Sequence, residues 1–248
     1  MNADQGNEGR RVRRGQGAAS VYAVLHNEIL SLILRPGTVL DETALARRFS
    51  LSRSPVREAL NRLQSERLVC MLPNRSTIVA PLELVEFPRF IEALDLMQRY
   101  NTRLAARNRT DADLYAIREH SARFDQAARD FDLLKMSQHN RNLHLAIARA
   151  GGNQYTARQY ADLLNEGRRL LHVQFEYLAE SGHRYPWQDQ HEDLIRAIEA
   201  RDIEAADRLA HDHTMKFQER FLFALSHRSD TDFDLEPPRA PVRPKAEK

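Results

Sequence analysis

Three histidines and one asparagine have the types and spacing to hold a metal ion in this 248-residue chain. Asn140 and His144 stand one turn apart in a segment, about Asp132 to Arg149, whose apolar residues recur at helical spacing. Its inward stripe runs Leu133, Met136, Asn140, Leu143/His144 and Ile147. His191 falls on a second stripe with Trp187, Leu194/Ile195 and Ile198, and His213 on a third with Ile203, Ala206, Ala210, Phe217 and Phe221. A single histidine on an apolar stripe is ordinarily a hydrogen-bonded core residue. Three on separate stripes, His191 and His213 being 22 residues apart across a helix–turn–helix, point to a shared polar centre. Neutral imidazole nitrogens beside an oxygen donor suit a divalent transition metal such as Zn²⁺, Ni²⁺ or Mn²⁺. Hydrolytic use of that metal needs a carboxylate base beside it. None lies on these stripes, H-E-x-x-H is missing and Cys70 has no partner cysteine, so the chain reads as a non-enzyme. His120, His139, His172, His183, His211 and His227 fall off the stripes and read as surface residues.

A second group of residues suits nucleic acid. In Ser52-Arg53-Ser54-Pro55-Val56-Arg57-Glu58-Ala59-Leu60-Asn61-Arg62-Leu63, the apolar Val56, Leu60 and Leu63 share one helical face. Arg53, Arg57 and Asn61 project together from the other. Pro55 fits a first turn, where its missing N–H is not needed, and either Ser52 or Ser54 can cap the helix. Two guanidiniums near a helix N-terminus match the edge of guanine in a major groove.

The elements that must carry these residues are mostly helical. Residues 1–19, with the run Arg10-Arg11-Val12-Arg13-Arg14, read as a disordered basic arm, and residues 226–248 as a disordered tail with four prolines. Val21, Val24, Leu25, Ile29 and Leu32 mark an amphipathic helix that Pro36-Gly37 ends. Asp41 can cap a short helix through Phe49 with Ala44, Leu45 and Phe49 inward. Ser50-Leu51-Ser52 is a turn, the arginine-bearing helix follows to about Glu66, and Leu68–Leu72 and Thr77–Ala80 read as strands around Pro73-Asn74-Arg75-Ser76. Residues 20–81 thus form a winged helix-turn-helix, α with a small β wing. Residues 82–225 form an all-α bundle of about six helices, with breaks near Asn108–Thr110, Asp130–Asp132, Gly151–Asn153, Ser181–Pro186 and Arg201–Asp202.

Charge follows the same division. The first 80 residues hold twelve arginines against seven acidic residues, and the remainder 25 basic against 28 acidic. Only the first part is suited to a polyanion. With 42% hydrophobic and 29% charged residues the chain is typical of soluble domains. No apolar run approaches the roughly 20 residues needed to cross a bilayer. The N-terminus lacks the apolar core of a signal peptide, and one cysteine fits a reducing cytoplasm.

The stretch from Leu30 to Val79 resembles the GntR family of bacterial regulators, whose S-R-[ST]-P-V-R-E-A-L stands here as Ser52 to Leu60. The resemblance implies operator contacts by Arg53, Ser54 and Arg57, a wing (Asn74 and Arg75) in the minor groove, and Thr43 at a position that can touch DNA. Arg67 and Ser76 replace two family glycines. Residues from Leu84 to Leu225 resemble the FCD effector domain of the FadR subgroup, which implies Asn140, His144, His191 and His213 as metal ligands. The family's usual aspartate is Asn140 here, and its R-x-x-L-E is altered at Leu94 and Gln98. The resemblance further implies a homodimer on palindromic double-stranded operator DNA and a small-molecule effector, usually a carboxylate. The alternative is a DNA-binding protein without an effector, in which the histidines are purely structural.

Overall fold

The computed structural model describes the backbone of residues 5–180 and 190–227 and the side chains of residues 16–177 and 190–226. Trp187, His183, the break expected at Ser181–Pro186 and residues 228–248 lie outside the described residues, as does the side chain of His227. Among the described residues are nine α-helices, a short 3-10 turn and one two-stranded sheet. Among the described residues the chain divides into two compact units, one holding residues up to Leu25 and Leu34–Leu82, the other His26–Ile33 and the described residues from Glu83.

The first unit begins with helix α1, Gln5–Leu30. The arm expected to lack structure is therefore helical from Gln5. Ala18 is buried, and Gly17 lies where an added Cβ would come within 3.3 Å of the Leu51 side chain. Val21 and Leu25 continue that buried face.

Helix α2, Glu42–Arg48, starts at Asp41, whose Oδ1 accepts the Ala44 amide at 2.7 Å. Leu45 and Ala46 face inward. Ala44, expected inward, is exposed: its amide is tied to the cap, and the buried face begins one residue later. Helix α3, Arg53–Ser65, buries Pro55, Val56, Ala59, Leu60 and Leu63. Its N-cap, Ser52, makes no side-chain capping bond. Strands β1, Val69–Met71, and β2, Thr77–Val79, pair antiparallel with Cys70 opposite Ile78, and Val39 bridges Ile78 from the other side. At the wing tip Asn74 Oδ1 accepts the Ser76 amide at 3.0 Å, and Arg75 takes φ +67°. Arg67, at the position of the first missing family glycine, has φ +57°. At the second, the strain falls on Arg75 and not on Ser76.

The second unit follows the 3-10 turn Leu84–Glu86 with α4 (Phe87–Asn108), α5 (Asp111–Arg129), α6 (Leu133–Ala150), α7 (Gln154–Glu180), α8 (Glu192–Glu199) and α9 (Ile203–His227). The breaks have local causes. Thr110 and Asp113 form a reciprocal capping box at the start of α5, and Asp132 accepts the Lys135 amide at the start of α6. Helix α6 packs against α4, α5 and α7, and α9 against α4, α7 and α8. Ile117, Leu143, Ile147, Ile195 and Ile198 form one buried cluster, and Phe124, Met136 and Phe175 another. Gly167 lets α7 approach α4, since a Cβ there would stand 3.0 Å from the Phe90 ring.

The turn between α2 and α3 holds Ser50 at φ +53°. That conformation costs a non-glycine residue about 1–2 kcal/mol, more than the roughly 0.5–1 kcal/mol of extra chain entropy that glycine loses on folding. Ser50→Gly should therefore raise the melting temperature of the first unit by a few degrees, and Ser50→Ile should lower it. Calorimetry on the full chain checks this; a Ser50→Gly protein that melts lower would show that the turn is not strained.

Candidate metal and anion site, and candidate DNA-facing helix

Helices α6, α8 and α9 bring His144, His191 and His213 together. Each offers a ring nitrogen, and these atoms lie within 4.8 Å of one another. Ring centroids are 5.5 Å apart for His144 and His191, 5.1 Å for His144 and His213, and 5.0 Å for His191 and His213. His144 sits mid-helix on α6, as its stripe requires, and His213 on α9. His191 is the N-cap of α8 and not an interior residue of it. Asn140, one turn before His144, places Oδ1 3.1 Å from His191 Nε2.

His144 and His191 are almost fully buried. Burial lowers the His144 pKa to about 4. Burial, then the neighbouring charges of the other imidazoles and Arg220, hold His191 and His213 well below the ordinary imidazole value. All three rings are therefore neutral near pH 7, with lone pairs available. If Nε2 of His191 donates to Asn140, its lone pair lies on Nδ1, which is buried and has no hydrogen-bond partner among the described residues. Three neutral imidazoles, an amide oxygen and an orphaned buried nitrogen fit a divalent transition metal.

A cavity of about 50 Å³ adjoins the cluster, with Asn140, His144 and His213 in its wall. That is room for roughly three or four waters. Arg141, Arg168 and Arg220 line it too, and among the described residues that line it there is no Asp or Glu. Arg220 donates to Gln190 Oε1 at 2.8 Å and Arg141 to Asn165 Oδ1 at 2.5 Å. Gln98, standing where the family has a glutamate, bridges the floor. Its Nε2 donates to the Ala210 carbonyl at 3.0 Å and its Oε1 accepts the Tyr160 hydroxyl at 3.1 Å. Leu94, which replaces the family arginine, also lines the cavity. Positive charge thus comes from α6, α7 and α9 in place of α4.

Sequence reasoning missed these arginines. Arg220 lies two turns beyond His213 and Arg141 next to Asn140, so their faces were legible. Arg168 was not, because α7 buries Arg168, Arg169 and Leu170 in succession and, past half-buried Leu171, also His172, Val173, Gln174 and Phe175, which erases helical periodicity. For the same reason His172, expected at the surface, is buried. His120 and His139 are half-buried with rings 6.5 Å apart, and His211 pairs with Asp95 at 3.0 Å.

In the first unit, Arg53, Arg57 and Asn61 are exposed on one face of α3. Thr43 on α2, Ser52, Ser54 and the wing residues Asn74 and Arg75 are also exposed. Glu42, which sequence reasoning passed over, joins the two arginines. Its Oε1 accepts Arg57 Nε at 2.9 Å, and its Oε2 accepts Arg57 Nη2 at 2.7 Å and Arg53 Nη2 at 3.3 Å. The Arg57 guanidinium holds the Glu42 carboxyl below its ordinary pKa, so it stays ionised.

Comparison with known proteins agrees with both units. Residues 18–79 match the family described as bacterial regulatory proteins, gntR family, and residues 90–215, just over half of the chain, match the FCD domain. The chain is 23% identical to the HTH-type transcriptional repressor RspR of Escherichia coli (strain K12) over 199 residues, 80% of this chain and 86% of that protein. It is 32% identical to the HTH-type transcriptional regulator LutR of Bacillus subtilis (strain 168) over 137 residues, 49% of this chain and 62% of that protein. Its fold resembles that of E. coli McbR/YncC with a TM-score of 0.69 at 22% identity, over 84% of this chain and 98% of that one. No described helix is long and apolar enough to cross a membrane. The chain belongs to the GntR family of bacterial transcriptional regulators and carries that family's DNA-binding domain followed by an FCD domain.

Proposed function

We propose that this regulator binds a palindromic operator as a homodimer and responds to a small carboxylate effector, with a divalent metal at the histidine cluster. The observation that carries the effector reading is the cavity wall, where neutral imidazoles and three guanidiniums line one small space. His144, His191, His213 and Asn140 would hold the metal. When bound, the metal supplies concentrated positive charge for a carboxylate oxygen. Arg141, Arg168 and Arg220 orient the anion's remaining oxygens. Asn140 contributes no charge, so the anion supplies the compensation that an aspartate would otherwise give. Dimerisation is supported by exposed Leu96 and Tyr100 on α4 and Tyr155 on α7, with Tyr100 and Tyr155 bordering one groove. Nothing in this arrangement requires catalysis.

A second reading is favoured by the bond between His191 Nε2 and Asn140 Oδ1. In it the cluster is a hydrogen-bonded core feature, and the protein binds DNA without an effector. Two substitutions separate the readings. His144→Ala should lower bound metal and abolish the effector response while sparing operator binding. Asn140→Asp should tighten metal and weaken its dependence on the anion. Elemental analysis paired with calorimetry decides; a His144→Ala protein that keeps its metal and its response supports the structural reading.

Operator reading rests on α3. Arg57→Ala should cost about 1–3 kcal/mol on the operator and little on random DNA at the same salt. Equal losses on both would make Arg57 a phosphate contact. Sedimentation at micromolar concentration should give twice the 28.7 kDa of the chain; a monomer would overturn the dimer.

A further inference from the structure

We propose that Glu42 is a positioning residue of the DNA-reading surface, gripping Arg57 side-on so that its outer edge is aimed at one base pair. This rests on the operator reading of α3 given above. A carboxylate on a face that meets a polyanion weakens binding through repulsion of phosphate. Its geometry here gives a return for that loss.

Glu42 is the first residue of α2, directly after the Asp41 cap, and its side chain is only 25% exposed, against 57% for Arg57 and 61% for Arg53. The carboxylate is the fixed partner, and the long arginine side chains come to it. Arg57 meets it fork to fork through Nε and Nη2, at 2.9 and 2.7 Å. A guanidinium carries N–H donors along a side edge and an end edge. The grip occupies the side edge. The end edge, Nη1 with the second N–H of Nη2, stays available for the O6 and N7 acceptors of guanine. Pinning the side chain before DNA arrives also removes rotamer entropy that recognition would otherwise have to overcome.

Arg53 touches the same Oε2 through one longer bond, 3.3 Å. It is held loosely and can swing to phosphate or base. Glu42 therefore ranks the two arginines, Arg57 pre-set and Arg53 adaptable. It also offsets one of their two positive charges, which lowers attraction to DNA of any sequence. Both effects raise the ratio of specific to non-specific binding.

The experiment uses the full-length protein and a pool of randomised DNA duplexes, with motifs enriched separately by wild type, E42Q, E42D and R57A. Affinities for the wild-type-enriched duplex and for the unselected pool are then measured at one salt concentration. E42Q should bind the unselected pool more tightly and the enriched duplex no better, so that the ratio falls by about fivefold, the lower end of what one bidentate base contact discriminates. E42D keeps the charge but is one methylene shorter. It should bind the pool as wild type does, yet lose the same base preference that R57A loses. Melting temperatures near that of wild type confirm folding of each variant. If E42Q tightens both DNAs equally with an unchanged motif, or E42D keeps the full motif, Glu42 is a repulsive charge only and the proposal is overturned. Should wild type itself enrich no motif, the operator reading fails, and the grip of Glu42 on Arg57 falls with it as a device for base readout.

Discussion

Burying three imidazoles against one another is tolerable only while all three are neutral. His144, His191 and His213 meet this condition because burial, first of all, holds each below the ordinary imidazole value. A charged ring there would be opposed by its two neighbours and by the Arg220 guanidinium. The same desolvation that keeps protons off leaves lone pairs facing a common point. Placement of these helices is thus a condition of the site's chemistry as well as of the core.

Charge then dictates what the site admits. On the proposed reading, a divalent cation beside Arg141, Arg168 and Arg220 adds positive charge to the cavity wall, and Asn140 adds no negative charge. An anion offsets that charge, and each ligand favours the other by the same factor. The small cavity limits the anion to a compact molecule. In the first unit positive charge is displayed outward, and Glu42 pairs with both Arg53 and Arg57.

Sequence made the pattern legible where helices have one buried face. Asn140 and His144 on α6, His213 on α9, and the opposed faces of α3 could be read from spacing alone, because exposed residues interrupt the buried ones along each helix. Legibility failed where that condition fails. Helix α7 is buried around much of its circumference over His172 to Phe175, so neither the burial of His172 nor the role of Arg168 shows as a period. Glu42 read as an ordinary first-turn acid, since its partners lie 11 and 15 residues away on another helix. The basic arm looked unstructured by composition, but from Gln5 it continues α1, and Gly17 allows the close approach to Leu51 and Pro55.

The central claim is that an anion and a metal bind together at the histidine cluster and alter DNA binding. Its most direct test is operator affinity by fluorescence anisotropy, with small mono-, di- and tricarboxylates added to metal-loaded and to chelator-treated protein. The account predicts that at least one carboxylate shifts the operator Kd by about fivefold or more, and that chelation removes the shift. Operator affinity indifferent to every carboxylate and to chelation would contradict it.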